Sequence, residues 1–302
     1  MNRFLGWAIA SAISFGAFGA ASAADMPLKA PPPPAAPVWS WTGFYAGVNA
    51  GGAWAQDTSV NSVGSLPFIS AIIAPATGPA VVAGATTNIP GSNANGFIGG
   101  GQIGYNYQFN RFVAGIEADI QGLSGRSSGG IATSVPITGF PIAVNTTLTT
   151  TNSVQWLGTL RGQLGYAVTP SLLVYGTGGL AYGEVNSSTT ISQQLIGAAA
   201  AGATVPYASV AGISQIRTGW AAGAGAAWMF TSNWSAKVEY LHYDLGSASY
   251  SGAMSNLSGP GAPVPLGTLL YTVGATSSTS FRGDIVRVGL NYKFGGPVVA
   301  KY

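Results

Sequence analysis

Phe112-Val113-Ala114-Gly115-Ile116-Glu117-Ala118-Asp119-Ile120-Gln121-Gly122-Leu123 is the stretch that decides the fold. Phe112, Ala114, Ile116, Ala118 and Ile120 fall on one parity; Gly115, Glu117, Asp119 and Gln121 fall on the other. A period of two describes a strand with two unlike faces. A soluble barrel would turn the apolar face inward and leave Glu117 in water. A transmembrane barrel turns it toward lipid and points the carboxylates into the lumen. The length fits the second case, since a tilted strand needs about 9–11 residues to cross the hydrocarbon.

Outward from this segment the same reading applies seven more times, at Trp41–Trp54, Gly96–Phe109, Ser153–Tyr166, Leu172–Glu184, Gln215–Phe230, Trp234–Gly246 and Ser280–Phe294. In Ser153–Tyr166, Val154, Trp156, Leu160, Leu164 and Tyr166 oppose Gln155, Thr159, Arg161 and Gln163. In Ser280–Phe294, Val286, Val288, Leu290, Tyr292 and Phe294 oppose Arg287, Asn291 and Lys293. The joins alternate in length. Ala55–Asn95, Ser124–Asn152, Asn186–Ser214 and Ser247–Thr279 are long, whereas Asn110-Arg111, Ala167–Ser171 and Thr231–Asn233 are short. Short turns on one side and long loops on the other are the asymmetry of barrels inserted from the periplasm. Aromatics collect at the short-turn end: Trp41, Phe44, Tyr107, Phe109, Phe112, Tyr166, Trp228, Phe230, Trp234, Tyr292 and Phe294, an expected periplasmic girdle. The fold class is all-β, an eight-stranded antiparallel up-and-down transmembrane β-barrel. The apolar runs Pro67–Gly84 and Pro263–Val273 offer a ten-stranded alternative, or hairpins standing above the membrane.

Composition agrees. Of 302 residues only 6% are charged, against about 25% in an average soluble domain. Mean hydropathy is +0.33, yet past residue 24 no apolar run of about 18 residues occurs that could form a spanning helix. With no cysteine, disulfides, thiolate metal sites and cysteine catalysis are excluded together. The net charge of +3 is dispersed, so no nucleic-acid surface is indicated. Residues 1–23 read as a cleaved signal peptide: Arg3, an apolar run from Phe4 to Phe18, then the small-residue site Ala21-Ser22-Ala23. Residues 24–40, with Pro31-Pro32-Pro33-Pro34, read as an extended periplasmic spacer. The barrel then occupies 41–294 and a tail 295–302, in the outer membrane.

Trp41-Thr42-Gly43-Phe44-Tyr45-Ala46-Gly47 and Val288-Gly289-Leu290-Asn291-Tyr292-Lys293-Phe294 resemble the first and last strands of alphaproteobacterial outer-membrane proteins. These are the porin-like immunogenic surface proteins, related to the opacity proteins and to the barrel domain of OmpA. The resemblance spans Trp41 to Phe294, and the long loops match nothing in it. Such barrels often end on their terminal aromatic; here Gly295–Tyr302 follows, so either Phe294 or Tyr302 is what the assembly machinery reads. No peptidoglycan-binding domain is expected after the barrel.

Candidate chemistry is sparse. Gly99-Gly100-Gly101-Gln102-Ile103-Gly104 matches a dinucleotide fingerprint, but it continues as a strand rather than opening a helix. His242, the one histidine, is expected outward near the outer headgroups, with Ser235 at the wrong end and no orienting acid evident. A lipid-modifying enzyme built on it is the weakest of the functional readings. One histidine also argues against a zinc site, and nothing supports haem capture, so no cofactor is expected. The informative polar set is Glu117, Asp119, Arg161, Lys237, Glu239 and Arg287, all of lumen-facing parity. The interior of eight strands is just filled by side chains, so charges there must pair. Arg161 is expected to meet Glu117 or Asp119, and Arg287 to meet Glu239, as a salt-bridge plug. The expected function is a non-enzymatic surface barrel; the alternative is a narrow porin for small solutes. The long loops carry only Asp57 and Arg126 as charges, which suits contacts with lipopolysaccharide, host or phage.

Overall fold

The structure, a computed structural model, describes residues 39–56, 59–69, 74–91, 95–139, 141–197, 207–256 and 271–295. The expected signal peptide, the spacer up to residue 38, most of Pro263–Val273 and residues 296–302 of the tail lie outside the described residues. In chain order the elements are β1 (Gly43–Gln56), β2 (Val60–Ile69), α1 (Ala74–Ala85), β3 (Thr87–Ile89), β4 (Asn95–Phe109), β5 (Phe112–Leu123) and β6 (Arg126–Pro136). Then come β7 (Ile142–Thr169), β8 (Leu172–Gly197), β9 (Tyr207–Met229), β10 (Trp234–Asn256) and β11 (Tyr271–Lys293).

Eight strands form the wall, in the order β1-β4-β5-β7-β8-β9-β10-β11, and β1 returns to pair with β11. Every wall pair is antiparallel, and the closing seam runs from Tyr45↔Lys293 to Gln56↔Arg282. Closure removes the unpaired edges that hydrocarbon would not tolerate. At the tightest short turn Asn110 adopts φ 54°, a left-handed conformation that asparagine accepts more readily than most residues.

The wall does not stop at the membrane. Strands β7 and β8 run 28 and 26 residues, far beyond the roughly 9–11 needed to cross. Where β1 ends, β2 takes over against β11 (Val60↔Thr279), and where β5 ends, β6 takes over against β7 (Arg126↔Ser153). The stretches expected as long connections are therefore largely strands of a raised rim. Their alternation is hard to see because hydroxyls occupy both faces: Thr147, Thr149 and Thr190 are exposed, Thr146, Thr150 and Thr189 buried. The run Pro67–Gly84 adds no wall strand; it holds the end of β2 and most of α1. Val81 and Ala85 of this helix pack with Ile89, Ile137 and Leu148 inside the rim, and Gln193 Nε2 donates to the Val81 carbonyl at 2.9 Å.

Three side chains depart from the sequence reading. Trp41 is not a girdle residue; it is 5% exposed and packs inward on Val113, Leu173, Tyr175 and Met229. It precedes β1, so strand parity does not govern it. Val154 is buried inside the barrel and Gln155 faces out, because the register of β7 against β8 slips between Val154 and Trp156. A β-bulge of this kind moves one side chain to the opposite face.

Candidate functional site

The centre of the lumen is the place where chemistry-bearing residues converge. Strand parity brings Glu117 and Asp119 in from β5, Arg161 from β7, Lys237 and Glu239 from β10, and Arg287 from β11. All six are at most 5% exposed. Neighbouring strands hold two of the contacts directly, since Glu117↔Arg161 and Glu239↔Arg287 are register partners.

Arg161 Nη2 lies 2.7 Å from Glu117 Oε1 and 2.8 Å from Asp119 Oδ2, and its Nη1 is 3.1 Å from Glu239 Oε1. Arg287 Nη2 lies 2.6 Å from Glu239 Oε2 and 2.9 Å from Asp119 Oδ2. Lys237 Nζ sits 2.7 Å from Glu117 Oε2. Three carboxylates thus face three cations, and the layer is neutral as a whole. Hydroxyls complete it: Tyr45 donates to Glu117 at 2.8 Å, Tyr175 to Glu239 at 3.2 Å and Thr159 to Asp119 at 2.8 Å.

The cross-lumen contacts are what sequence reasoning misses. Parity says which residues point inward; it does not say that Arg161 reaches Glu239, or that Arg287 reaches Asp119. Tyr45 and Tyr175 also join the layer, and their inward parity is legible in the sequence.

Apolar layers close the lumen on both sides of the charges. Toward the short turns lie Trp41, Val113, Leu173 and Met229; toward the rim lie Leu157, Leu241, Tyr243, Phe281 and Ile285. Above these, Ser187 donates to Asn152 at 2.6 Å, and Tyr250 shares hydrogen bonds with Ser187 and Thr189. On the outside of the short-turn end, Phe44, Phe109, Phe112, Tyr166, Phe230, Trp234, Tyr292 and Phe294 are all exposed. Contacts such as Phe112–Tyr166 and Trp234–Tyr292 link them as a belt.

His242 faces outward near the rim. It does have an acid: its Nδ1 is 2.8 Å from Asp284 Oδ1, its register partner on β11, and Tyr240 donates to the same oxygen at 2.6 Å. Among the described residues no serine or threonine hydroxyl bonds to His242. Among the described residues the pair therefore has an orienting acid but no hydroxyl nucleophile in contact with it, which acyl transfer needs. The glycine motif at Gly99–Gly104 lies within β4 and opens no helix. Among the described residues no cluster of three or more His, Asp or Glu could hold a metal ion.

The sequence matches the family described as outer membrane protein beta-barrel domain over residues 10–294. The chain belongs to that family. It is 35% identical over 281 residues to the 31 kDa outer-membrane immunogenic protein of Brucella melitensis, covering 91% of this chain and 93% of that one. The 22 kDa outer membrane protein of Rhizobium leguminosarum is 32% identical over 172 residues, which is 53% of this chain and 63% of the other. The crystal structure of OprG from Pseudomonas aeruginosa aligns with a TM-score of 0.38 at 15% identity, over 84% of this chain and 97% of that one. The protein is an outer-membrane β-barrel, a class whose short turns face the periplasm.

Proposed function

We propose that this protein is a non-catalytic, non-conducting barrel that carries a raised rim above the outer membrane as an interaction surface. The observation supporting this reading is the succession of side-chain layers across the lumen, in which the cavities beside Trp41 and beside Phe281 hold no more than about 30 and 40 Å3. From the periplasmic side the path meets the Trp41 cap, the neutral charge layer, the Leu157–Leu241–Ile285 layer, the Tyr250 hydroxyl layer and finally α1 under the rim. An eight-stranded wall leaves an interior just wide enough for side chains, and here those side chains are large. Arg161 and Arg287 are among the largest fully buried groups. The rim, in contrast, is long, hydroxylated and nearly free of charge, which suits contact rather than electrostatic steering of a solute.

Planar-bilayer recording of the purified, refolded barrel tests this reading. No steady conductance is expected. A reproducible conductance that survives repurification away from native porins would establish the narrow-porin alternative instead.

A further inference from the structure

The outward face of the rim carries a groove of about 490 Å3, lined mainly by polar residue types, where β6, β7, β8 and β9 run side by side. Register places Arg126, Ser153, Asn186 and Ser214 in one row across these four strands. The β7 bulge adds Gln155 to the same face, and Thr151 and Ser188 line the side nearer the rim. Bulges re-aim single side chains in this way, and they are over-represented beside functional sites.

Three features give the groove its chemical character. First, Arg126, Ser153, Gln155 and Asn186 make no side-chain hydrogen bond or ion pair among the described residues, so their donors and acceptors remain available. Second, the row just below holds Glu184, whose carboxylate accepts from Trp156 Nε1 at 3.1 Å and from Ser214 Oγ at 3.1 Å. Third, Trp156 packs edge-on against Tyr182 at 5.9 Å, with exposed Ile216 in the row of Trp156 and exposed Leu160 and Leu180 below. Aromatics of this kind mark the boundary between hydrocarbon and headgroups, so the groove lies directly above it.

A guanidinium, two carboxamides and several hydroxyls form a set suited to a sugar bearing a phosphate. The guanidinium matches phosphate through paired N–H donors, and the amides match vicinal hydroxyls. The volume falls within the roughly 300–1,000 Å3 range of ligand sites. We propose that this groove binds the phosphorylated inner-core sugars of outer-leaflet lipopolysaccharide. Arg126 takes the phosphate, and Gln155 and Asn186 take adjacent hydroxyls. Glu184 orients Ser214 and keeps the floor from attracting a second phosphate. The proposal names the partner of the rim. It stands on the barrel's orientation and is independent of whether the lumen conducts.

The test uses the full refolded barrel in detergent, titrated with purified lipopolysaccharide that carries the inner core, and separately with lipid A that lacks it. Native mass spectrometry reads the bound fraction. Arg126→Gln should weaken core-bearing lipopolysaccharide by about tenfold or more, the usual scale for losing a charged hydrogen-bond partner. Gln155→Ala with Asn186→Ala should weaken it further, while lipid A alone binds parent and variants equally. None of these side chains is buried, so the substitutions should leave heat-modifiable migration on gels unchanged, which separates a binding defect from misfolding. Arg111→Gln, a cation removed at the periplasmic end, serves as the control and should change nothing. Unaltered affinity of the triple variant for core-bearing lipopolysaccharide would overturn the site. An equal loss toward lipid A alone would overturn the assignment to core sugars.

Discussion

Arg161 is the group whose removal most directly tests the lumen. Its guanidinium touches Glu117 and Asp119 within 2.8 Å and Glu239 at 3.1 Å, with its side chain fully buried. In Arg161→Ala three carboxylates would face only Lys237 and Arg287. One uncompensated charge in a dry lumen typically costs about 3–5 kcal/mol. A Coulomb check gives the same scale, since unit charges about 4 Å apart interact by roughly 4 kcal/mol at an effective dielectric of about 20. Arg161→Met combined with Glu117→Met removes one charge of each sign and leaves Asp119 and Glu239 balanced by Lys237 and Arg287. That double variant should lose less than half of what the single variant loses, although Lys237 gives up its 2.7 Å partner. Urea titration in lipid vesicles, together with the temperature at which the compact gel band converts to the unfolded one, measures both. If Arg161→Ala matched the parent, or if the double variant were the weaker of the two, a buried, charge-balanced layer would be the wrong description.

Trp41→Ala should cost about 3–5 kcal/mol, as for other buried Trp truncations, and should lower the band-conversion temperature. It should open no conductance in bilayer recordings, because the charge layer lies behind it. Gly51→Ala strikes the closing seam: a Cβ there would collide with the Val286 carbonyl oxygen and sit 2.7 Å from Arg287 Cα. The folded fraction recovered after refolding should fall sharply, and an unchanged yield would mean that β1 and β11 do not approach so closely. His242→Ala breaks the Asp284 contact but should leave the acyl composition of lipid A unchanged by mass spectrometry. A changed acyl pattern would reinstate an enzymatic role for the dyad.

Strand parity in the membrane is easy to read because lipid and lumen impose opposite demands on successive residues. Phe112 to Leu123 shows this, and so does the arrival of Glu117, Asp119, Arg161, Lys237, Glu239 and Arg287 at one level. Legibility fails wherever one of the two demands is relaxed. Above the membrane the outer face meets water, so Thr147 and Thr149 carry no apolar signature and the raised rim looks like loop. At Gln155 a single inserted residue reverses parity without any mark in the local sequence, so alternation alone puts Val154 on the wrong face. Trp41 lies outside the strand and is recruited by an apolar mouth that only the closed ring creates. The His242–Asp284 pair joins residues 42 positions apart, and only the register of β10 on β11 reveals it.

The sources of the charge layer bear on how the barrel comes together. Glu117, Asp119 and Arg161 belong to the first half of the wall and sum to one negative charge. Lys237, Glu239 and Arg287 belong to the second half and sum to one positive charge. Neither half is neutral alone, and the contacts that join them, Arg161–Glu239, Lys237–Glu117 and Arg287–Asp119, cross from one half to the other. A sheet that lacks β10 and β11 therefore carries an unmatched ion on the face that must become the lumen, and the cross-lumen partners meet only as the sheet curls toward closure. The six residues act as an electrostatic latch, favouring completion of the ring over every intermediate that precedes it.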